Sequence, residues 1–136
     1  MGEYAAAVFE LGARVSLAIV LGGTAGTLAR LALVEAIYPV AGFPWGTFAA
    51  NVAGAALLGF FVGGVFMRST PGSGLIPLLG TGFCGGLTTF SALQVDAVIL
   101  IDRGDVLLAC LYVAASLVAG LAAVVAAERL GERVSR

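Results

Sequence analysis

Long runs without a charged residue are the feature of this 136-residue sequence that most constrains its fold. Residues 36–67, 69–95 and 106–127 contain no Asp, Glu, Lys or Arg, and a shorter uncharged run, 15–29, ends at Arg30. A helix needs about 20 apolar residues to cross the hydrocarbon core of a bilayer. The sequence therefore predicts an all-α membrane protein, a single transmembrane domain over residues 1–136, with four transmembrane helices at about 13–35, 43–67, 75–100 and 106–128.

The connections between the predicted helices are short and rich in turn residues. They cover residues 38–42, 68–74 and 102–105. None of them is long enough to hold a soluble catalytic domain, so the function is expected within the membrane-spanning segments. The chain has no His and offers no nucleophile–base pair, and an enzyme is therefore not expected.

The few charges indicate orientation and exclude one class of partner. The seven basic residues are all Arg and are scattered, and the net charge is −1, so nucleic acid is not an expected partner. The N-terminus has Glu3 and Glu10 rather than a basic region before its apolar run, which argues against a cleaved signal peptide. Positive-inside logic favours cytoplasmic termini. On the predicted cytoplasmic side lie Arg14, Arg68, Arg129, Arg133 and Arg136. On the other side of the membrane lie Arg30 and Arg103.

Glycines four residues apart predict close contacts between helices. Such spacing lets backbones approach in lipid, and four small helices enclose little, so a homo-oligomer is expected. The pairs are Gly22 and Gly26, Gly42 and Gly46, Gly59 and Gly63, and Gly82 and Gly86.

The third predicted helix contains the most unusual stretch, GFCGGLTTFSALQVD from Gly82 to Asp96. Adjacent glycines in mid-membrane predict a broken helix, with the interruption at residues 84–86. Unwound backbone at that depth must be buried in protein or line a polar cavity. Its carbonyls can bind a cation, and the following half-helix favours an anion. The alternative is a packing crossover whose hydroxyl side chains bond back to their own helix.

Polar side chains in the second and fourth helices allow two interpretations each. Asn51, one turn after Thr47, either forms an interhelical hydrogen bond that holds the bundle or donates its amide to a passing anion. Tyr112 and Ser116 share one helical stripe. They are either packing residues with satisfied hydroxyls or anion donors that carry no fixed charge.

Three further residues are candidates for ion contact. Arg30 either extends to the headgroups or forms an anion-attracting vestibule. Asp96 caps a helix, pairs with an arginine such as Arg30, or orders the break. Phe90 either packs or presents the partly positive edge of its ring to an anion.

The motifs GFCGGLTTFSAL, GGTAGTLAR and GTFAANVAGAALLG together resemble the Fluc (CrcB) family of fluoride channels, and the resemblance extends over about residues 15–130. It implies a multi-pass protein of the prokaryotic plasma (inner) membrane that exports cytoplasmic fluoride passively. It also implies an antiparallel dual-topology dimer with two fluoride pores. A homodimer is expected first, and a dimer with a paired homologous subunit is the alternative.

The resemblance also implies roles for individual residues. Backbone carbonyls of Gly85 and Thr88 would bind a structural Na⁺ on the dimer axis. Asp96 lies where the family usually has a glutamate, and Leu93 lies where it commonly has a second pore phenylalanine. Arg30 matches the arginine of the first helix. The residues expected to line the pore and contact fluoride are Asn51, Thr89, Phe90, Tyr112 and Ser116.

Two other functions fit parts of the sequence. A four-helix exporter of hydrophobic cations would need a membrane-embedded carboxylate, for which Asp96, near the end of a helix, is a poor candidate. A membrane scaffold that transports nothing would use the glycine-rich faces to bind a larger partner.

Overall fold

The computed structural model describes residues 2–37, 42–70 and 73–136, with side chains described from residue 10 onward. Within these ranges four helices are long and apolar enough to cross a membrane, and no strand is present. The helices are α1 (Gly2–Ala36), α2 (Trp45–Arg68), α3 (Ile76–Asp102) and α4 (Val106–Val134). The predicted all-α fold with four transmembrane helices is confirmed. The predicted connections at 38–41 and 71–72 lie outside the described residues.

Two of the helices change their winding along their length. In α2, an α-helical segment Trp45–Phe60 is followed by a π-helical stretch, Phe61–Val65, and a final 3₁₀ turn. The first half of α3 consists of π-helical Ile76–Cys84 and one α-helical turn, Gly85–Leu87. Its second half is the α-helix Phe90–Asp102. Stretches of π-helix are rare and often mark functional sites, which directs attention to α3.

Glycines allow α1 to lie directly against the first half of α3. A Cβ atom on Gly22 would collide with the carbonyl of Leu78, and one on Gly86 would collide with the backbone of Gly23. On α2, Gly59 contacts the backbone of α4 at Val124. The predicted close contacts are therefore confirmed at the pairs 22/26, 59/63 and 82/86.

One of the predicted glycine pairs does not behave in this way. Gly46 lies against Val34 of α1, as expected. Gly42 instead lies before α2 with φ of 77°, a left-handed backbone conformation that glycine adopts without strain. The prediction that Gly42 packs between helices is wrong, because the turn into α2 needs its conformational freedom.

The third helix is broken, but the break lies later than the glycine pair. Gly85 is helical, with φ −64° and ψ −33°. The backbone becomes extended at Thr88 (φ −82°, ψ 154°) and Thr89 (φ −153°, ψ 120°). The predicted interruption at 84–86 is therefore wrong in position. Gly86 is needed for contact with α1 rather than for an unusual backbone, whereas β-branched threonines adopt extended backbone readily.

The second half of α3 packs against α4 through a small apolar core. Leu93, Leu100, Ala109 and Tyr112 are buried there. Much of the remaining apolar surface is exposed, including Leu117, Val118 and Leu121 on α4. This surface is suited to contact with lipid or with another membrane protein.

Candidate functional site

Asn51 of α2 binds the backbone at the break in α3. The N–H of Thr89 donates to Asn51 Oδ1 at 2.7 Å, and Asn51 Nδ2 donates to the carbonyl of Thr89 at 3.1 Å. A buried peptide unit outside regular helix needs such partners, and one carboxamide here satisfies both of its groups. The interhelical bond is thus formed. One of the two amide hydrogens of Asn51 is used in it, and the second is left for another acceptor.

The two threonines complete the local hydrogen bonding of the break. The N–H and the hydroxyl of Thr88 both donate to the carbonyl of Cys84, each at 3.0 Å. The hydroxyl oxygen of Thr89 accepts from the N–H of Ala92 at 3.2 Å, so Thr89 caps the second half of α3. It also shares a hydrogen bond with Ser91, at 3.1 Å between the two hydroxyl oxygens.

These bonds leave two carbonyls without their ordinary helical donors. The carbonyl of Gly85 would normally accept from the N–H of Thr89, which donates to Asn51 instead. The carbonyl of Thr88 would accept from the N–H of Ala92, which donates to the hydroxyl of Thr89. Both positions are those for which cation-binding carbonyls were expected from the sequence.

Arg30 reaches the same segment from α1. Its Nε donates to the carbonyl of Gly86 at 3.2 Å, and the side chain is partly buried. Neither of the two roles expected for Arg30, extension to the headgroups or an open vestibule, includes this contact.

A cavity of about 230 Å³ opens beside the break. Phe90 on its wall is 67% exposed, whereas Leu93 is only 5% exposed. The hydroxyl of Ser116 donates to the carbonyl of Tyr112 at 2.7 Å, so its proton is committed to its own helix and its oxygen can only accept. The cavity is lined by Asn51, Thr88, Thr89, Phe90, Leu93, Ser116 and Leu117.

Tyr112 and Asp96 form a separate polar contact, one turn of α4 away from Ser116. Tyr112 is fully buried, and its hydroxyl donates to Asp96 Oδ2 at 3.1 Å. The ring of Phe43 meets that of Tyr112 at 90°, with 5.2 Å between centroids. A second cavity of about 230 Å³ is lined by Asp96, Thr47 and nine other residues, among them Arg103. The observed partner of Asp96 is thus Tyr112 and not Arg30.

Sequence reasoning missed the role of Gly54. A Cβ atom at this position of α2 would collide with the methyl group of Thr88. Gly54 follows Asn51 by three residues and faces the same segment of α3. This spacing was the available signal, although glycine is so frequent in the chain that the spacing alone does not distinguish Gly54 from the others.

A sequence profile described as "CrcB-like protein, Camphor Resistance (CrcB)" matches residues 17–128. The chain belongs to the CrcB family. This CrcB protein is 45% identical over 118 residues to "Fluoride-specific ion channel FluC 1" of Mycolicibacterium paratuberculosis. The aligned region covers 86% of the chain and 89% of the relative. A protein of the same name from Mycobacterium bovis is 46% identical with the same coverage. "Fluoride-specific ion channel FluC" of Novosphingobium aromaticivorans is 42% identical over 107 residues, covering 76% and 84%.

Family membership and the four apolar helices agree on the class of protein. The matched region begins within α1 and ends within α4, so it includes part or all of every helix and the whole break in α3. This CrcB protein is a multi-pass membrane protein of prokaryotic type, as expected from its sequence.

Proposed function

We propose that this protein is a passive channel selective for fluoride and that it lets fluoride leave the cytoplasm. The observation that carries the proposal is the cavity at the break, which both Asn51 and Phe90 line. Relatives at 45% and 46% identity bear the name "Fluoride-specific ion channel FluC 1", and that name supports the choice of ion. A channel of this kind is not an enzyme.

Fluoride would be bound by weak donors rather than by a fixed positive charge. The second amide hydrogen of Asn51 is a side-chain donor that the observed bonds leave free at the cavity, whereas the hydroxyl of Ser116 donates to its own helix. The edge of the Phe90 ring carries partial positive charge and adds a second, weaker contact. An ion held in this way can leave again, which conduction requires. Tyr112 lies one helical turn from Ser116 on α4, and its hydroxyl bonds to Asp96 of the second cavity. It would continue the row of polar groups along the proposed path of the ion.

The direction of flow follows from acid–base chemistry outside the protein. Hydrogen fluoride crosses bilayers as a neutral acid and dissociates in a more alkaline cytoplasm, where the anion is trapped. A passive pathway then carries fluoride outward down its gradient and the membrane potential.

A structural Na⁺ is part of the proposal, and the residues of this chain fit it. The carbonyls of Gly85 and Thr88 have lost their helical donors, and Na⁺ prefers oxygen ligands of this kind. In the part of the chain that the structure describes, no three His, Cys, Asp or Glu side chains cluster as metal ligands. A resident cation would therefore rely on backbone oxygens. When bound, it would link the broken segments of two subunits electrostatically.

The proposed assembly is an antiparallel homodimer, with a paired homologous subunit as the alternative. Phe90 lines the cavity but is 67% exposed, so the cavity in one chain is only partly walled. Gly85 is exposed, and a Cβ placed there would meet nothing within 4 Å. A second copy that covers this face would complete the wall and would bring a second set of carbonyls to the cation.

Release of fluoride from liposomes tests the proposal directly. Purified protein is reconstituted into liposomes loaded with potassium fluoride, and efflux is started with a potassium ionophore and followed with a fluoride electrode. Rapid electrogenic release of fluoride is expected, with no release of chloride from matched liposomes. Release no faster than from protein-free liposomes would contradict the proposal. Proton-coupled uptake of a hydrophobic cation would instead identify an exporter, and the absence of both activities would favour a scaffold.

A further inference from the structure

Arg30 is the only basic residue whose side chain contacts the break among the residues that the structure describes. It lies 56 positions before Gly86 in the chain, and its Nε–H points at the Gly86 carbonyl across the α1–α3 contact. The surrounding backbone is closely packed, because Gly86 lies against Gly23 of α1. Arg30 and Gly86 are therefore held by the same helix contact and not by a flexible loop.

The carbonyl that Arg30 binds belongs to the C-terminal end of the first half of α3. The last carbonyls of a helix have no intrahelical donors and carry a partial negative charge. Gly85 and Gly86 belong to this helix end, and Thr88 follows it in extended backbone. Arg30 donates to the carbonyl of Gly86. The N–H groups that would bond to the carbonyls of Gly85 and Thr88 in a regular helix donate to side chains instead.

We propose that Arg30 is a positioning residue that orients the backbone of the break for cation binding. Its permanently charged guanidinium caps Gly86 and fixes that peptide, so that the neighbouring carbonyls of Gly85 and Thr88 stay directed toward the proposed Na⁺. This inference rests on the proposed Na⁺ site. A guanidinium suits this role because its planar donor is rigid, whereas the ammonium of Lys is a mobile point charge.

The positive charge of Arg30 repels a Na⁺ bound nearby. This repulsion and the proposed orientation of the backbone predict opposite effects of removing Arg30. If repulsion between Arg30 and the ion were the larger effect, removing the charge would strengthen Na⁺ binding. If orientation of the backbone is the larger effect, removing the side chain weakens Na⁺ binding even though the repulsion is relieved. The proposal commits to the second result.

The experiment measures subunit association as a function of Na⁺ concentration, with choline replacing Na⁺ at constant ionic strength. Subunits labelled with donor and acceptor dyes report dimer formation by energy transfer in detergent. Arg30→Gln is expected to raise the Na⁺ concentration for half-maximal association by about tenfold, the factor that corresponds to losing one charge-assisted hydrogen bond. Arg30→Lys, which keeps the charge and can still donate, is expected to fall between Arg30→Gln and the parent.

The matched control is Arg14→Gln, which removes the same charge from an exposed position on the same helix. It should leave the Na⁺ dependence unchanged. Saturating Na⁺ should restore the dimer fraction of Arg30→Gln to that of the parent. A positioning residue changes only the affinity of the site for Na⁺, and a high Na⁺ concentration compensates for a weaker affinity. A loss that is equal at all Na⁺ concentrations, including complete failure to associate, would indicate a merely structural residue and would overturn the proposal.

Two other results also overturn it and are distinguishable from each other. If the parent depends on Na⁺ but Arg30→Gln shows the parent's dependence or a tighter one, only the role of Arg30 is wrong. If the parent does not depend on Na⁺, the proposed Na⁺ site fails as well, while fluoride release from liposomes still reports on the channel separately.

Discussion

The side chain of Asn51 pairs with Thr89 as one peptide unit pairs with another. Its oxygen accepts from the Thr89 N–H at 2.7 Å, and its nitrogen donates to the Thr89 carbonyl at 3.1 Å. A break in a membrane helix leaves polar backbone groups in a medium without water, where each unsatisfied group is costly. Asn51 therefore stabilises the break, and it also lines the adjoining cavity, where we propose that its remaining amide hydrogen contacts the anion.

Replacing Asn51 by Asp separates these functions of the amide. The carboxylate still accepts from the Thr89 N–H, but it cannot donate to the Thr89 carbonyl or to an anion, and it adds a negative charge beside the cavity. We expect fluoride release to fall by at least about a hundredfold, because an anion would meet a like charge in place of a donor. The liposome assay measures this. The control Thr24→Val alters an exposed hydroxyl that bonds only within α1, and a comparable loss there would contradict a specific role for Asn51.

A methyl group at position 54 should displace the break. In Gly54→Ala the new Cβ would collide with the methyl of Thr88, and rotation of Thr88 to avoid it would break the hydroxyl bond to Cys84. We expect a loss of about 1–3 kcal/mol in the free energy of unfolding, typical of overpacking. Thermal unfolding in detergent would show a lowered midpoint. Gly12→Ala is the control, since a Cβ there meets nothing within 4 Å, and an equal effect on its midpoint would refute the steric explanation.

Hydrophobic patterning was sufficient to predict the four helices, because a bilayer imposes length and apolarity on every spanning segment. The position of the break was not predictable in the same way. The glycine pair 85–86 predicts a weak helix, but Gly86 is used for contact with α1, and that contact involves residues more than 60 positions earlier. The extended backbone at Thr88 and Thr89 depends on Asn51 of another helix.

The sequence was sufficient to predict which residues lie at the candidate site, but not which hydrogen bonds they form. The resemblance grouped Asn51, Thr89, Phe90, Tyr112 and Ser116 as pore residues. All of them except Tyr112 line one cavity, whereas Tyr112 bonds to Asp96. The bonds of Arg30 to Gly86 and of Asp96 to Tyr112 had no sequence signal, since each joins two helices at positions that only the packing determines.

The hydroxyl of Thr89 caps the second half of α3, and its removal can be tested without changing side-chain shape. In Thr89→Val the N–H of Ala92 loses its acceptor, and the free energy of unfolding should fall by about 1 kcal/mol. Thr89→Ser keeps the acceptor and should match the parent more closely than Thr89→Val does. Thermal unfolding of the three proteins in detergent measures the difference. A valine variant as stable as the serine variant would show that the cap contributes nothing.

The bond between Tyr112 and Asp96 should appear as a coupling energy. Tyr112→Phe removes the donor but keeps the ring against Phe43, and it should destabilise the fold by about 2 kcal/mol, as expected for a hydrogen bond to a charged group. The same change on an Asp96→Ala background should cost much less. Thermal unfolding of the four proteins gives the cycle, and additive effects would show that the observed contact is energetically neutral.

The final prediction concerns Leu93, the position at which the resemblance implies that a second pore phenylalanine is common. Leu93 is 5% exposed, belongs to the core between α3 and α4, and also borders the cavity beside Phe90. In Leu93→Phe we expect the larger side chain to extend into this cavity of about 230 Å³. Its ring edge would add a second partly positive contact for fluoride, and an aromatic contact of this strength corresponds to a rate increase of up to about tenfold.

Fluoride release from liposomes, compared at equal protein content, measures this effect. The control is Leu93→Met, which nearly conserves volume and adds no ring, and it should release fluoride at the parent rate. If Leu93→Phe unfolds at the parent temperature yet releases fluoride no faster than Leu93→Met, a ring edge at this position does not assist conduction. The ring of Phe90 would then need another explanation for its place on the cavity wall.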